Sequence, residues 1–172
     1  LPSGLDLLLS GSHYDSEGHR LFYENFEGTP SGGATRDTDS EVASNLLGAA
    51  SYGDLTLRAA YVRREKGIPT GSYETLFDDD RNRTVDAQGY LDVRYEKEIG
   101  EKTGLLARIF HDNYYYAGDY VFEQPAGGTV VNRDRTHGSW TGTEVKLAAE
   151  PLDGNRVTAG TEVLWNYRQD QR

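Results

Sequence analysis

Hydrophobic and polar side chains alternate along several stretches of this chain with a period of two residues. Within residues 86–99, Leu91 and Val93 alternate with Asp92 and Arg94. Such a period places consecutive side chains on opposite faces of a β-strand. The stretch therefore predicts a strand with one apolar face and one charged face.

The same alternation recurs often enough to predict an all-β protein. Strands are predicted at residues 4–14, 41–52, 54–65, 86–99, 102–116, 138–150 and 155–168. Each has close to, or more than, the about 9–11 residues of a tilted membrane-spanning strand, whereas about 5–6 is usual in soluble sheets. We expect an antiparallel up-and-down meander of about seven long strands.

The predicted connections are of two kinds, and the two kinds alternate. Short breaks fall at residues 52–54, 100–102 and 151–154, and long polar segments fall at residues 15–40, 67–85 and 117–137. Short turns on one rim and long loops on the other are typical of outer-membrane β-barrels. The pattern therefore favours part of a transmembrane β-barrel.

The polar composition is compatible with a membrane only if the two sheet faces differ. Apolar residues make up 36% of the chain, and the net charge is −10. In a barrel wall, one face contacts lipid while the other, charged face lines a wet lumen. No apolar run reaches the roughly 18–20 residues of a transmembrane helix, and the acidic balance argues against a nucleic-acid partner.

Two groups of side chains follow from this interpretation. The predicted lumen-facing residues are Arg58, Asp92, Arg94, Arg108, Glu144, Lys146 and Glu162. The predicted interfacial aromatic residues are Tyr14, Tyr52, Tyr61, Tyr95, Tyr114, Tyr115, Tyr116, Trp140, Trp165 and Tyr167. Ion pairing between strands in lumen water is the simpler role for the charged group.

Residues 61–99, YVRREKGIPTGSYETLFDDDRNRTVDAQGYLDVRYEKEI, resemble the barrel of TonB-dependent outer-membrane receptors. The resemblance lies in a strand that ends in R-x-K-G-I-P-T, an acidic loop and a returning Y-L-D-x-x-Y-E strand. Residues 1–18 and 106–120 are similar in the same way. The resemblance implies a barrel of about 22 strands, closed by an N-terminal plug domain.

It also implies a function in the bacterial outer membrane. Such receptors take up scarce nutrients, such as siderophore-bound iron or cobalamin, when a TonB-type protein delivers energy to the plug. Leu1 as the first residue and the lack of Met favour residues 1–172 as a single internal fragment of the barrel, without the plug and the remaining strands. The expected partners are outer-membrane lipid, the plug, the TonB-type protein and a small-molecule ligand of unknown identity.

The candidate ligand-binding residues are aromatic side chains in the third predicted loop or beside it. They are Tyr115, Tyr116, Tyr120 and Phe122. The four histidines lack metal-binding spacing, and residues 78–82, DDDRN, lack the alternating ligands of a calcium loop. Because no nucleophile, base or metal cluster appears, we expect neither an enzyme nor a cofactor.

One alternative has a different fold and a different function. A soluble extracellular β-sandwich could recognise sugars through its tyrosines, and its apolar face would then pack on a second sheet. In contrast, a barrel fragment with an odd number of strands has two open edges. We therefore expect the isolated fragment to associate with copies of itself.

Overall fold

The computed structural model describes residues 4–172, which form one sheet. The strands are β1 (Leu5–Ser16), β2 (Glu41–Tyr52), β3 (Leu55–Gly67), β4 (Arg83–Ile99), β5 (Thr103–Glu123), β6 (Thr129–Leu152) and β7 (Asn155–Gln171). Each pairs antiparallel with the next, in the order β1 to β7. The predicted all-β antiparallel meander is confirmed.

Two short 3-10 helices, Glu24–Phe26 and Ser72–Glu74, lie in the long connections of the sheet. Within residues 4–172, no helix has the length and the apolar character that crossing a membrane requires.

The strand register separates apolar from charged side chains in the middle of the sheet. One row across the seven strands contains Leu7, Ala50, Leu57, Val93, Ile109, Thr143 and Val163. We call the surface that contains this row the apolar face. On the opposite surface, Arg58 lies directly across from Asp92 on the neighbouring strand, and Arg108 lies directly across from Glu144. We call that surface the charged face.

The sheet is a single layer, and neither face is covered by a second sheet within residues 4–172. Only Ala87, Ala117 and Val121 are buried apolar residues in this part of the chain. On the apolar face Ile109 is 50% exposed and Val163 61% exposed. The β-sandwich alternative required a second sheet, so the fold does not support it.

The register divides the predicted interfacial aromatic residues between the two faces. Those on the apolar face are Tyr52, Tyr61, Tyr95, Tyr115, Trp165 and Tyr167. Those on the charged face are Tyr14, Tyr114, Tyr116 and Trp140. The second group lies at the opposite parity of its strands, so the predicted interfacial residues do not share one face of the sheet.

The third predicted long loop, residues 117–137, is wrong. β5 continues to Glu123 and β6 begins at Thr129, so the connection spans only residues 124–128. Both flanks carry β-branched and aromatic residues that favour strands, and Gly127 and Gly128 adopt positive φ in the turn. The other long connections, residues 17–40 and 68–82, are present.

These two long loops are packed against each other and against β5. Phe26 of the first loop stacks on Phe77 of the second, with ring centroids 4.2 Å apart. Asp78 accepts hydrogen bonds from the Arg36 backbone amide and the Thr38 hydroxyl, both at 2.8 Å. The packing gives the long-loop end of the sheet a small core of its own.

Asn82 connects the second loop to β5. Its side-chain amide donates to the Leu76 carbonyl at 2.6 Å, and its side-chain oxygen accepts from the Val121 amide at 2.8 Å. Asn82 is 1% exposed and Val121 is fully buried. Both polar groups of the buried side chain are therefore satisfied.

Replacing Asn82 by Ala should open this loop contact. The Leu76 carbonyl and the Val121 amide would lose their partner, at a cost of about 1–2 kcal/mol. We expect faster amide hydrogen exchange at Val121. Asn132→Ala is the control, because the exposed Asn132 side chain bonds only to Asp134. Equal exchange in the two variants would contradict the prediction.

Candidate functional site

The charged face carries a cluster of ion pairs that spans β4, β5 and β6. Arg108 contacts the Asp92 carboxylate, and its Nη1 lies 3.8 Å from Glu144 Oε2. Glu144 also contacts Lys146. Asp92 and Glu144 are each only 8% exposed, so the arginine and lysine groups cover the two carboxylates. The predicted pairing between strands is present.

Phe110 extends this cluster through its aromatic ring. The guanidinium carbon of Arg108 lies 4.3 Å from the centre of the Phe110 ring, within the range of a cation–π contact. On β6, Gly142 is directly opposite Phe110, and a side chain there would overlap the ring. The glycine therefore provides the space that lets Phe110 lie beside Arg108.

A hollow of about 430 Å³ lies over this cluster. Its lining residues are Arg58, Tyr90, Asp92, Arg94, Arg108, Phe110 and Asp112. Three guanidinium groups thus face two carboxylates. Within residues 4–172, Arg58 forms no ion pair, and Arg94 Nε is buried without a hydrogen-bond partner.

The hollow therefore has donors that the sheet itself does not use. Arg94 donates through Nη2 to Glu96 Oε1 at 2.6 Å, which leaves its Nε free. Planar guanidinium groups suit carboxylate, phosphate and carbonyl oxygens. Chemically, the arrangement can hold an acceptor group from water, a ligand or another protein segment.

The seven predicted lumen-facing residues share the charged face. Glu162 of β7 lies directly across from Glu144 of β6. Lys146 is the next residue of β6 on the same face. Arg58, Asp92, Arg94 and Arg108 line the hollow. Their common face follows from the register, whereas contact with an aqueous lumen remains a prediction.

A second hollow, of about 210 Å³, lies at the long-loop end of the same face. Its lining residues are Tyr73, Tyr120, Phe122, Asn132 and Asp134. The rings of Tyr73 and Tyr120 meet edge to face, with centroids 6.3 Å apart. Tyr120 and Phe122 were predicted as loop residues, but both lie on β5.

The backbone of the loop that carries Tyr73 is strained. Tyr73 has φ 60° and Glu74 has φ 67°, values that side-chain-bearing residues rarely adopt. The Tyr73 ring is nevertheless 82% exposed. Backbone strain with an exposed aromatic ring is typical of positions used in binding.

Tyr116 contacts Tyr120 of the second hollow, whereas Tyr115 lies on the other face of the sheet. The hydroxyl of Tyr116 contacts that of Tyr120. Tyr115 lies on the opposite face against His137, with ring centroids 4.8 Å apart. The structure therefore separates Tyr115 from the other three predicted ligand-binding residues.

The acidic run that the sequence placed in a loop is used in local contacts. Asp79 receives two hydrogen bonds from the Arg81 guanidinium, at 2.8 and 2.6 Å. These bonds hold the pKa of Asp79 below its ordinary value despite partial burial of the carboxyl. Within residues 4–172, no group of three metal-ligating side chains is arranged to hold an ion.

Sequence reasoning missed several residues of the two hollows. Tyr90, Phe110 and Asp112 share the strand parity of Asp92 and Arg108, so the period-two pattern could have found them. Tyr73 belongs to a loop without any periodic signal. Only the folded connection brings Tyr73 to β5.

Comparisons of the chain with protein-family models, curated proteins and solved structures found no match.

Proposed function

We propose that the chain forms part of the wall of an outer-membrane β-barrel receptor of the TonB-dependent type. The observation that carries the proposal is a seven-stranded sheet whose apolar face is exposed on every strand. In water, an apolar sheet face needs a second packed layer. Hydrocarbon can take the place of that layer, because every inner strand has its backbone groups paired within the sheet.

The charged face supports the same proposal. Its ion pairs lie on the side opposite the apolar row, so one wall can contact lipid and an aqueous lumen at once. In a receptor barrel, this surface faces the plug domain. The hollow with the exposed Arg58 guanidinium is then the expected contact for an acceptor group of the plug.

The strand directions favour a larger barrel. Since each pairing is antiparallel, β1 and β7 run in the same direction. Antiparallel closure of the barrel therefore requires an odd number of further strands, which gives an even total. A total of about 22 strands satisfies this condition.

The long-loop end is the proposed place of ligand capture. The second hollow combines Tyr73, Tyr120 and Phe122 with the polar side chains of Asn132 and Asp134. Aromatic surfaces with a few fixed polar groups are typical of small-molecule sites. The proposed cargo is a scarce nutrient, and the energy for its uptake comes through the plug from a TonB-type protein.

Membrane fractionation of the full-length gene product tests the first part of the proposal. We expect the protein in the outer-membrane fraction, with a band in gel electrophoresis that changes mobility on heating. Recovery in the soluble fraction would overturn the proposal. Uptake of radiolabelled ferric siderophores and cobalamin by a deletion strain, with and without the restored gene, tests the transport function.

A further inference from the structure

Charged side chains also lie on the apolar face, in one group at its long-loop end. Arg63 and Glu65 of β3, Arg83 of β4, Asp119 of β5 and Arg135 of β6 alternate in charge across four strands. Each contacts the next, at N–O distances of 2.9, 3.6, 3.5 and 2.7 Å. We call these five residues the arginine chain.

In every ion pair of the arginine chain, the arginine side chain is more exposed than the carboxylate side chain. The side chains of Arg63 and Arg83 are 41% and 55% exposed, whereas that of Asp119 is 15% exposed. Arg133, directly opposite Asp119, adds a further exposed cation to the same face. Together with Arg133, the arginine chain therefore has four guanidinium groups and two carboxylates, although the net charge of the protein is −10.

Arg83, the middle residue of the arginine chain, has unused hydrogen-bonding capacity. Its distances to Glu65 and Asp119, 3.6 and 3.5 Å, are those of ion pairs without close hydrogen bonds. A guanidinium group carries five N–H donors in a planar fork that matches phosphate oxygens. Arg83 can therefore bind a phosphate group without losing a short hydrogen bond to Glu65 or Asp119.

The carboxylates of the arginine chain lie between its arginines. Glu65 contacts Arg63 and Arg83, and Asp119 contacts Arg83 and Arg135. The negative groups thus hold the arginines in place. Three arginines against two carboxylates leave an excess of positive charge.

The arginine chain lies where the lipid headgroups would be. From Asp54 in the β2–β3 turn to Arg63 there are nine residues, or about 30 Å along the strand and about 23 Å along the membrane normal at a tilt of about 40°. This matches the apolar band of about 25 Å in outer-membrane barrels. Between the two positions lie Leu55, Leu57 and Tyr61 on the apolar face.

We propose that the arginine chain binds the phosphate groups of anionic lipids in the membrane leaflet on the long-loop side. The inference rests on the proposed membrane function. The acyl chains of such a lipid would lie along Leu57 and Tyr61, and its phosphate would contact Arg63 and Arg83. Anionic lipids are thereby preferred over zwitterionic ones, whose headgroups carry no net charge.

Lipid binding to the full-length gene product in detergent micelles tests the proposal. The probes are phosphatidylglycerol and phosphatidylcholine, and native mass spectrometry measures the bound lipid. We expect the wild-type protein to retain phosphatidylglycerol preferentially. The triple variant Arg63→Gln, Arg83→Gln and Arg135→Gln should bind it about tenfold more weakly or worse.

A charge-matched control separates the site from general charge. Arg20→Gln, Arg36→Gln and Arg156→Gln remove three exposed arginines that form no ion pair within residues 4–172. This control should keep the lipid preference. An equal loss in both triple variants would overturn the proposal, as would equal binding of the two lipids by the wild-type protein.

A second variant keeps the test valid if the triple variant fails to fold. Glu65→Gln with Asp119→Asn removes the neutralising carboxylates and should strengthen phosphatidylglycerol binding, an increase that a purely structural role would not produce. Inorganic phosphate is the third probe. Displacement of the lipid by equimolar inorganic phosphate would show a site for free phosphate and overturn the lipid assignment.

Insertion into vesicles distinguishes failure of the lipid-binding proposal from failure of the proposed function. A protein that inserts into phosphatidylcholine vesicles but shows no preference for phosphatidylglycerol contradicts only the role of the arginine chain. A protein that inserts into neither kind of vesicle contradicts the barrel-wall proposal itself.

Discussion

Replacing Ala59 by Arg should lower the free energy of unfolding from phosphatidylcholine vesicles by about 2–4 kcal/mol. Ala59 lies on the apolar face between Gly48 and Leu91, midway between the β2–β3 turn and Arg63. In the proposed barrel wall, a guanidinium group at this position would lie near the centre of the hydrocarbon. Denaturant unfolding of the full-length gene product in vesicles measures the effect.

The neighbouring residue provides a matched control. Ala60 is also an alanine of intermediate exposure, but it lies on the charged face between Leu47 and Tyr90. Ala60→Arg should cost less than about 1 kcal/mol, because its side chain would reach lumen water. Equal costs for the two substitutions would show that the two faces meet the same environment, and lipid contact would then be excluded.

Replacing Asp92 by Asn should destabilise the sheet by about 2–3 kcal/mol. The substitution keeps the size of the side chain but removes the carboxylate that contacts Arg108. Arg58 and Arg94 face the same hollow, so three guanidinium groups would be left with less compensation. The Arg108 side chain is 34% exposed, and solvent keeps the loss below that of a fully buried pair.

A second substitution tests the cause of this loss. Asp92→Asn combined with Arg108→Gln should recover at least half of the lost stability, because the unpaired cation is removed as well. Glu162→Gln is the control, since Glu162 lies on the same face opposite Glu144 and has no cationic partner within residues 4–172. An unchanged unfolding free energy in Asp92→Asn would contradict the prediction.

The strands could be predicted because their signal is local. Asp92 and Val93 differ in polarity and are adjacent in sequence, so alternation alone assigns them to opposite faces. The extension of β5 was missed because residues 124–128, QPAGG, were taken as part of a long polar loop. The flanking residues Val121 and Val131, which pair across that turn, carried the strand signal.

The packed loops depend on contacts that have no local signal. Phe26 and Phe77 are 51 positions apart, and nothing in either segment indicates the other. Tyr73 reaches β5 only because Asn82 and Asp78 hold the second loop in place. The same holds for the arginine chain, because the identity of its neighbours requires the register of four strands.

The shared direction of β1 and β7 also limits how such a protein can grow in evolution. If the gene segment for these seven strands were duplicated in tandem and both copies kept the same direction, with their long loops on one rim, the last strand of one copy would run parallel to the first strand of the next. Parallel neighbours need a long crossover connection, which a meander lacks. Duplication of a hairpin would preserve the alternation of directions, so barrels of this type are expected to gain or lose strands in pairs.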